Sequence, residues 1–581
     1  MRKAHTPTLP ESASVASGDI KTDYWLLLCA ALLLIATGIG LRDPWPADEP
    51  RFALIARDMV LTGDWWVPRV GGDIYSDKPP LFFWLIAAFY KLTGSLRWSF
   101  LLPSVLSGIG CVTLVYDLGR RLWNQQTGFA AAGLLLLTVQ FTWQARQAQI
   151  DATLCLLTTL SLYGLLRHLL LGPQWRWYVA GWAAAGLGVI TKGVGFLPLL
   201  VLIPFALLRS PHWSPRMSDT RWGYWLLGPL AFLVAVGIWL GPILLAAQSD
   251  PALAAYRDEI LFRQTIERYA SAWHHNKPFW YFLVNVIPAL WLPLTVFIPW
   301  LIPKWRQALQ QRDLRIALLL SWIMLVIAFF SLSAGKRGVY VLPAVPAMAL
   351  GCAPYAHELL RRTSVQRILY GLTVAMAVAC SAVLFYLWIA PARHQDVIAD
   401  YAIDPLAPLM LLSAVSIIVC VIARPHRGLW AYAGVFTALL LIVSFWLNPA
   451  MNSARSGEAF AQRIAQAADP QRELGFVAFK EQYLLNVRRS VVHFGHARWR
   501  DADQEAFDAA KWLSDGVGRQ LIVSDYAREL CFATAQAQAI GEANRTQWWL
   551  VEGTADPVCI ARGHAAAAYT YAHRVTADAG R

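Results

Sequence analysis

The sequence has 581 residues, 57% hydrophobic and only 15% charged, with a formal net charge of +13. A soluble chain carries about 25% charged residues, so the deficit excludes an ordinary water-soluble protein. The net charge does not make it a nucleic-acid binder, because the excess lies mostly in short loops between apolar runs, where it marks topology.

In chain order, residues 1–23 are polar, Ser/Thr-rich and basic, and read as a disordered cytoplasmic tail. Apolar runs of roughly 17–25 residues, the length that crosses a hydrocarbon core of about 30 Å, then recur. They lie near 24–41, 98–118, 128–144, 149–171, 176–192, 194–209, 222–247, 278–302, 315–333, 338–357, 368–390, 405–423 and 428–447. The chain is thus expected to be an α-helical polytopic membrane protein with about 13 transmembrane helices over 24–447. Trp98, Trp175, Trp177, Trp222, Trp291 and Trp300 gather at run ends as an interfacial belt. Alternate loops are rich in arginine, among them Arg120/Arg121, Arg167/Arg176, Arg361/Arg362/Arg367 and Arg424/Arg427. With those loops inside, the N-terminus is cytoplasmic. The first loop 42–97, the loop 248–277 and the part 448–581 then face outside.

The part 448–581 alternates short β-branched or aromatic runs (475–479, 490–494, 520–524) with helix-like stretches (457–468, 504–513). That pattern predicts a small α/β domain. Six cysteines lie in or beside apolar runs as inert thiols, and only Cys531 and Cys559 lie in this polar part. In an oxidising compartment they pair as a disulfide; otherwise they are two buried free thiols.

Charged residues concentrate in the first loop. Asp48-Glu49-Pro50-Arg51 opens a predicted helix, with Asp48 as N-cap and Pro50 in the first turn. Phe52, Ile55, Ala56 and Met59 line one face and Gly63 ends it. The helix is either interfacial, with acids that only cap it, or it projects Asp48 into an outward cavity. Arg51, Glu49, Tyr75, Asp77 and Lys78 from the same loop favour the cavity. Pro79 forces Lys78 out of helical geometry, which leaves it to snorkel or to meet a lipid phosphate. Asp151 begins a span at the same outer level, as a cap or as a cavity-facing acid. In the loop 248–277, Tyr256, Glu259, Arg263 and Glu267 have the spacing of a solvated, self-paired helix. His274-His275 follows, a weak metal signal by itself. The outer turn Ser333-Ala-Gly-Lys336-Arg337-Gly-Val-Tyr340 places two cations where a phosphate would suit them. No Walker, dinucleotide-binding or zincin motif occurs, so no nucleotide is expected.

The order of these pieces resembles the lipid A aminoarabinose transferases and, more broadly, the protein-mannosyltransferase-like membrane glycosyltransferases of GT-C fold. The resemblance is carried by Asp48-Glu49-x-Arg51-Phe, Gly63-Asp64-Trp65, Tyr75-x-Asp77-Lys78-Pro79-Pro80, Gln147…Asp151, His275-Asn-Lys-Pro-Phe-Trp-Tyr and Lys336…Tyr340-x-Leu-Pro343. It implies transfer of a sugar, with inversion, from an undecaprenyl-phosphate carrier to an envelope acceptor such as lipid A, on the periplasmic face of a bacterial inner membrane. Asp48 and Asp151 would be the catalytic acids. Arg51, Lys78, Lys336 and Arg337 would bind phosphate. Glu49, Tyr75 and Tyr340 would line the substrate cavity, and Asp77 with His275 would match a divalent, zinc-like metal position. The chain differs from the family pattern in carrying Asp77 for the usual Glu and Ser-Ala-Gly-Lys-Arg-Gly for the usual outer turn. Two other readings are transfer of a hexose or mannose to protein or another glycan, and lipid-carrier transport without chemistry. A transporter places its charges near the midplane, whereas these sit at the outer boundary.

Overall fold

The computed structural model describes residues 19–208, 222–261, 277–496, 498, 501–564 and 569–571. All thirteen apolar segments are helical over most of their described length. Among the described residues, eight helices are long and apolar enough to cross a membrane, or up to ten if each of two bent pairs is one span. The expected count of about 13 is therefore higher than the helices support by length. The remaining three segments are short: Ile20–Ala31 continued by Leu32–Ala36, Trp175–Val189, and Gly193–Val201 continued by Leu202–Leu208. A 15-residue helix such as Trp175–Val189 rises only about 22 Å, less than a hydrocarbon core of about 30 Å. The tail expected over 1–23 is helical from Ile20, and its first 18 residues lie outside the described ones.

The first loop folds as its pattern predicts. Its helix spans Glu49–Thr62 and ends at Gly63, whose φ of +77° suits a residue without Cβ. Phe52, Ile55, Ala56 and Met59 are all buried. A two-stranded hairpin follows, β1 (Arg69–Val70) paired with β2 (Asp73–Ile74). Its turn is Gly71-Gly72, both at positive φ. The helix Leu81–Thr93 then returns the chain to the membrane part. Tyr256 departs from the solvated helix expected over 256–267. It is 2% exposed and packs with Val67 and Trp239 beneath the first loop, so its ring serves the core. Arg263 and Glu267 lie outside the described residues.

The polar C-terminal part is α/β, as expected. Strands β3 (Glu473–Phe476), β4 (Val491–His493), β5 (Arg519–Ser524), β6 (Gln536–Ala543), β7 (Thr546–Glu552) and β8 (Tyr569–Tyr571) form one sheet in the order β6-β7-β5-β3-β4-β8. The central β5-β3-β4 pairs are parallel and the flanking pairs antiparallel. Helices Glu458–Ala467 and Ala502–Ser514 match the expected helical stretches. This domain shares a core with the first loop: Phe52, Phe82 and Phe83 belong to one buried cluster with Phe460, Phe476, Tyr483 and Trp548. The hairpin tip docks too. His493 Nε2 bonds the Gly71 carbonyl at 2.6 Å, and a Cβ on Gly71 would meet that nitrogen at 2.7 Å.

Cys531 and Cys559 are joined as a disulfide, with Cα atoms 5.7 Å apart and a sequence separation of 28. Closing a loop of that length stabilises by about 3–4 kcal/mol through the unfolded state. Cys531→Ser should therefore lower the denaturation midpoint, and reductant should lower it for the wild type but not for the variant.

The contact between loop and domain carries a pH dependence. Asp58, 8% exposed, accepts from Tyr571 Oη at 2.6 Å and borders a cavity of about 210 Å³ with Thr62, Asp64, Arg69 and Tyr571. Burial raises its pKa to about 6, with Arg57 and the Tyr571 hydrogen bond pulling the other way. The folded value exceeds the unfolded one, so between about pH 4 and 6 the folded state binds more protons. Stability from this group is full below about pH 4 and is lost as pH rises through 6, by about 3 kcal/mol. Asp58→Asn should flatten denaturation midpoints across that window.

Candidate active site

The candidate site forms where four segments meet. The first-loop helix brings Asp48 and Arg51. The start of the span Ile150–Leu171 brings Asp151. The turn between Trp175–Val189 and Gly193–Val201 brings Lys192. The 3₁₀ helix Gly338–Ala344, just after Arg337, brings Tyr340. Backbone contacts hold these segments together: Ala148 N–H donates to Glu49 Oε1 at 3.0 Å, and Leu81 N–H to the Ile190 carbonyl at 3.2 Å.

Asp48 sits at the helix N-terminus but makes no side-chain cap hydrogen bond. Its carboxylate is turned between two guanidiniums instead, Arg337 Nη2 at 3.5 Å and Arg51 Nη1 at 4.0 Å. Arg51 also donates from Nε to Glu481 Oε1 at 2.6 Å and stands over the Tyr75 ring at 5.8 Å. Burial alone would lower the Arg51 pKa, but Glu481 and then Tyr75 raise it, so the guanidinium is always charged. Tyr75 is buried, which raises its phenol pKa further with the help of Asp77.

A second pair lies beside the first. Lys192 Nζ donates to Asp151 Oδ1 at 2.6 Å and lies 4.4 Å from the Tyr340 ring centroid. Tyr340 N–H bonds the Arg337 carbonyl at 3.0 Å, one 3₁₀ turn apart, which links the two pairs through one short helix. Asp77 is exposed at the edge, and Lys78 Nζ donates to its backbone carbonyl at 3.0 Å.

Two expected site residues are corrected. Glu49 does not line the cavity: it is buried in a bidentate pair with Arg42 and accepts from the Trp45 and Ala148 backbone N–H groups. Lys336 does not reach the site either. It is 5% exposed and its ammonium caps the carbonyls of Ser333 and Lys277 at 2.5 and 2.8 Å. Its neighbour Arg337, with a side chain 43% exposed, is the cation that faces Asp48. His275 lies outside the described residues. Among the described residues no group of three or more His, Cys, Asp or Glu could hold a metal ion.

The sequence reading missed Lys192, Glu481 and His496. A lone lysine at the end of the apolar run 176–192 needs a partner when buried, and Asp151 was the acid at the matching level. Glu481 and His496 carried no local signal, since their partners in the first loop, Arg51 and Asp73, are hundreds of residues away.

Residues 77–239 match the dolichyl-phosphate-mannose-protein mannosyltransferase family. An undecaprenyl phosphate-α-4-amino-4-deoxy-L-arabinose arabinosyl transferase of Pseudomonas aeruginosa is 32% identical over 63% of this chain and 67% of that protein. The chain belongs to this family of arabinosyl transferases. A second member, from Pseudomonas fluorescens, is 32% identical over 55% of this chain. The chain spans just over half of that relative, 54% of its length. The crystal structure of ArnT from Cupriavidus metallidurans, bound to undecaprenyl phosphate, superposes with a TM-score of 0.67 over 91% of this chain and 98% of that one, at 22% identity. That likeness extends the arabinosyl transferase fold across the membrane part and the C-terminal domain together.

Proposed function

We propose that this chain is an inverting glycosyltransferase that moves 4-amino-4-deoxy-L-arabinose, or a similar sugar, from an undecaprenyl-phosphate carrier to a lipid A phosphate. The observation that carries the proposal is the Asp48 carboxylate held between the guanidiniums of Arg51 and Arg337. As the carrier phosphate leaves, the anomeric carbon gains oxocarbenium-like positive charge, which a nearby carboxylate stabilises. The departing phosphate needs cations and no acid catalyst; Arg51, Arg337, Lys78 and Lys192 are the basic groups we assign to it. Asp151 holds the Lys192 ammonium at the membrane boundary. An acceptor phosphate is already anionic, so Asp48 orients and stabilises more than it deprotonates. The ring of Tyr340 stands beside the Lys192 ammonium, whereas Tyr75, expected to line the cavity, is buried and backs Arg51 instead.

A zinc-like cation held by Asp77 and His275 belongs to this reading, but two ligands are fewer than a zinc site needs. No step is therefore routed through a metal. We place the protein in the bacterial inner membrane with the site and the C-terminal domain periplasmic. The Cys531–Cys559 disulfide supports that side, since such bonds persist in oxidising compartments.

The test is transfer by the purified protein in detergent. Incubation with undecaprenyl-phosphate aminoarabinose and lipid A should add one aminopentose mass to lipid A in the mass spectrum. Transfer only from a hexose-phosphate carrier, or none from any carrier, would overturn the assignment.

A further inference from the structure

Arg51 carries its donors in a rigid planar fork. Its Nε edge is held by Glu481 Oε1 at 2.6 Å, while Nη1 lies 4.0 Å from Asp48 Oδ1. Glu481 belongs to the C-terminal domain, at the start of the helix Glu481–Asn486, and is 8% exposed. The same carboxylate oxygen bonds His496 Nε2 at 3.0 Å. The His496 backbone N–H donates to Asp73 Oδ2 at 3.2 Å, and its ring stands edge-on to Tyr75 at 6.2 Å. Two residues of the C-terminal domain thus grip both the helix and the hairpin of the first loop.

We propose that Glu481 is a positioning residue of the transfer site: by holding the Nε edge of Arg51 it orients the terminal nitrogens for a carrier phosphate and stops the guanidinium closing further on Asp48. This rests on the function proposed above, because it takes Arg51 as a phosphate ligand. The alternative partner is close. With Glu481 gone, Arg51 needs to move little to form a bidentate pair with Asp48, and that pair would occupy the carboxylate and the fork together. His496 fixes the Glu481 rotamer, so the C-terminal domain is part of the site. Burial opposes ionisation of Glu481, but His496 and Arg51 outweigh it and lower its pKa to about 2. Glu481 is therefore charged at any assay pH, and Glu481→Gln removes the charge at nearly constant shape.

The experiment is a double-mutant cycle of wild type, Glu481→Gln, Arg51→Ala and the double variant. Each is measured for equilibrium binding of undecaprenyl phosphate alone, by tryptophan fluorescence in detergent, and for donor KM and kcat. Glu481→Gln should weaken binding and raise KM about tenfold. It should also lower the denaturation midpoint, because the ionised carboxylate that Arg51 and His496 stabilise is lost, so the role is decided by the binding cycle and not by stability. The double variant should match Arg51→Ala alone, because the effect of Glu481 passes through Arg51. Glu481→Asp, which keeps the charge but shortens the reach, should fall between wild type and Glu481→Gln, and it serves if the Gln variant does not fold. Binding unaltered by Glu481→Gln, or losses that multiply in the double variant, would overturn the positioning role. A wild type that binds undecaprenyl phosphate but transfers no sugar would instead overturn the proposed function, and the binding cycle would still decide on Glu481.

Discussion

Asp48→Asn should reduce sugar transfer about a thousandfold while the donor KM and the denaturation midpoint change little. Asparagine keeps the size and shape of the side chain but replaces one acceptor oxygen by an NH2 donor and removes the charge. The helix does not depend on it, because Asp48 makes no cap hydrogen bond, so folding has little to lose. Binding has little to lose either, since Arg51 retains Glu481 and its stack on Tyr75. What disappears is the anion that faces the developing positive charge, a loss felt in kcat. The measurement is steady-state transfer to lipid A, with donor concentration varied for variant and wild type. A variant that turns over at the wild-type rate would leave Asp48 as a mere counter-ion to Arg51 and Arg337, and the catalytic assignment would move to Asp151.

How much of this arrangement was legible in the sequence depends on distance along the chain. The first-loop helix could be read to within a residue: Pro50 at its start, Gly63 at its end and the 52/55/56/59 face are local signals. Three strands and two helices of the C-terminal domain were legible for the same reason, but β6, β7, β8 and the short helices Glu481–Asn486, Asp525–Cys531 and Pro557–Arg562 were not. The span count was not, because composition marks apolar runs and not whether each is straight. Residues 128–144 bend by 69° between Gln125–Leu136 and Val139–Ala145, and 278–302 by 112° between Phe282–Leu290 and Leu294–Gln310. Nor could the sequence choose between adjacent residues. Lys336 and Arg337 look alike as cations in one turn, yet successive side chains there point to opposite sides. One caps carbonyls and the other meets Asp48. Asp48 and Glu49 repeat that ambiguity as adjacent acids.

Glu49 is where the ambiguity has its largest energetic consequence. Glu49→Ala should destabilise the folded protein by about 3–5 kcal/mol, more than any other substitution in the first loop. Its carboxylate is buried and answers four donors: both terminal nitrogens of Arg42 and the backbone N–H groups of Trp45 and Ala148. Removing it strands a guanidinium that is 5% exposed and packed against the Trp45 and Phe100 rings at 4.9 and 5.2 Å. It also frees the loop before Ile150–Leu171 from the first-loop helix, so Asp151 would lose register with Asp48. The loss should come from the unpaired charge more than from the missing pair, which a double variant can separate. Arg42→Met with Glu49→Leu replaces the pair by apolar groups of similar volume and should recover part of the stability lost in Glu49→Ala. Denaturation midpoints in one detergent, for the wild type and both variants, check the order. If Glu49→Ala matches the wild type, the buried pair is not what fastens the first loop to the membrane part. If the double variant is the least stable of the three, the backbone donors at Trp45 and Ala148 outweigh the stranded charge.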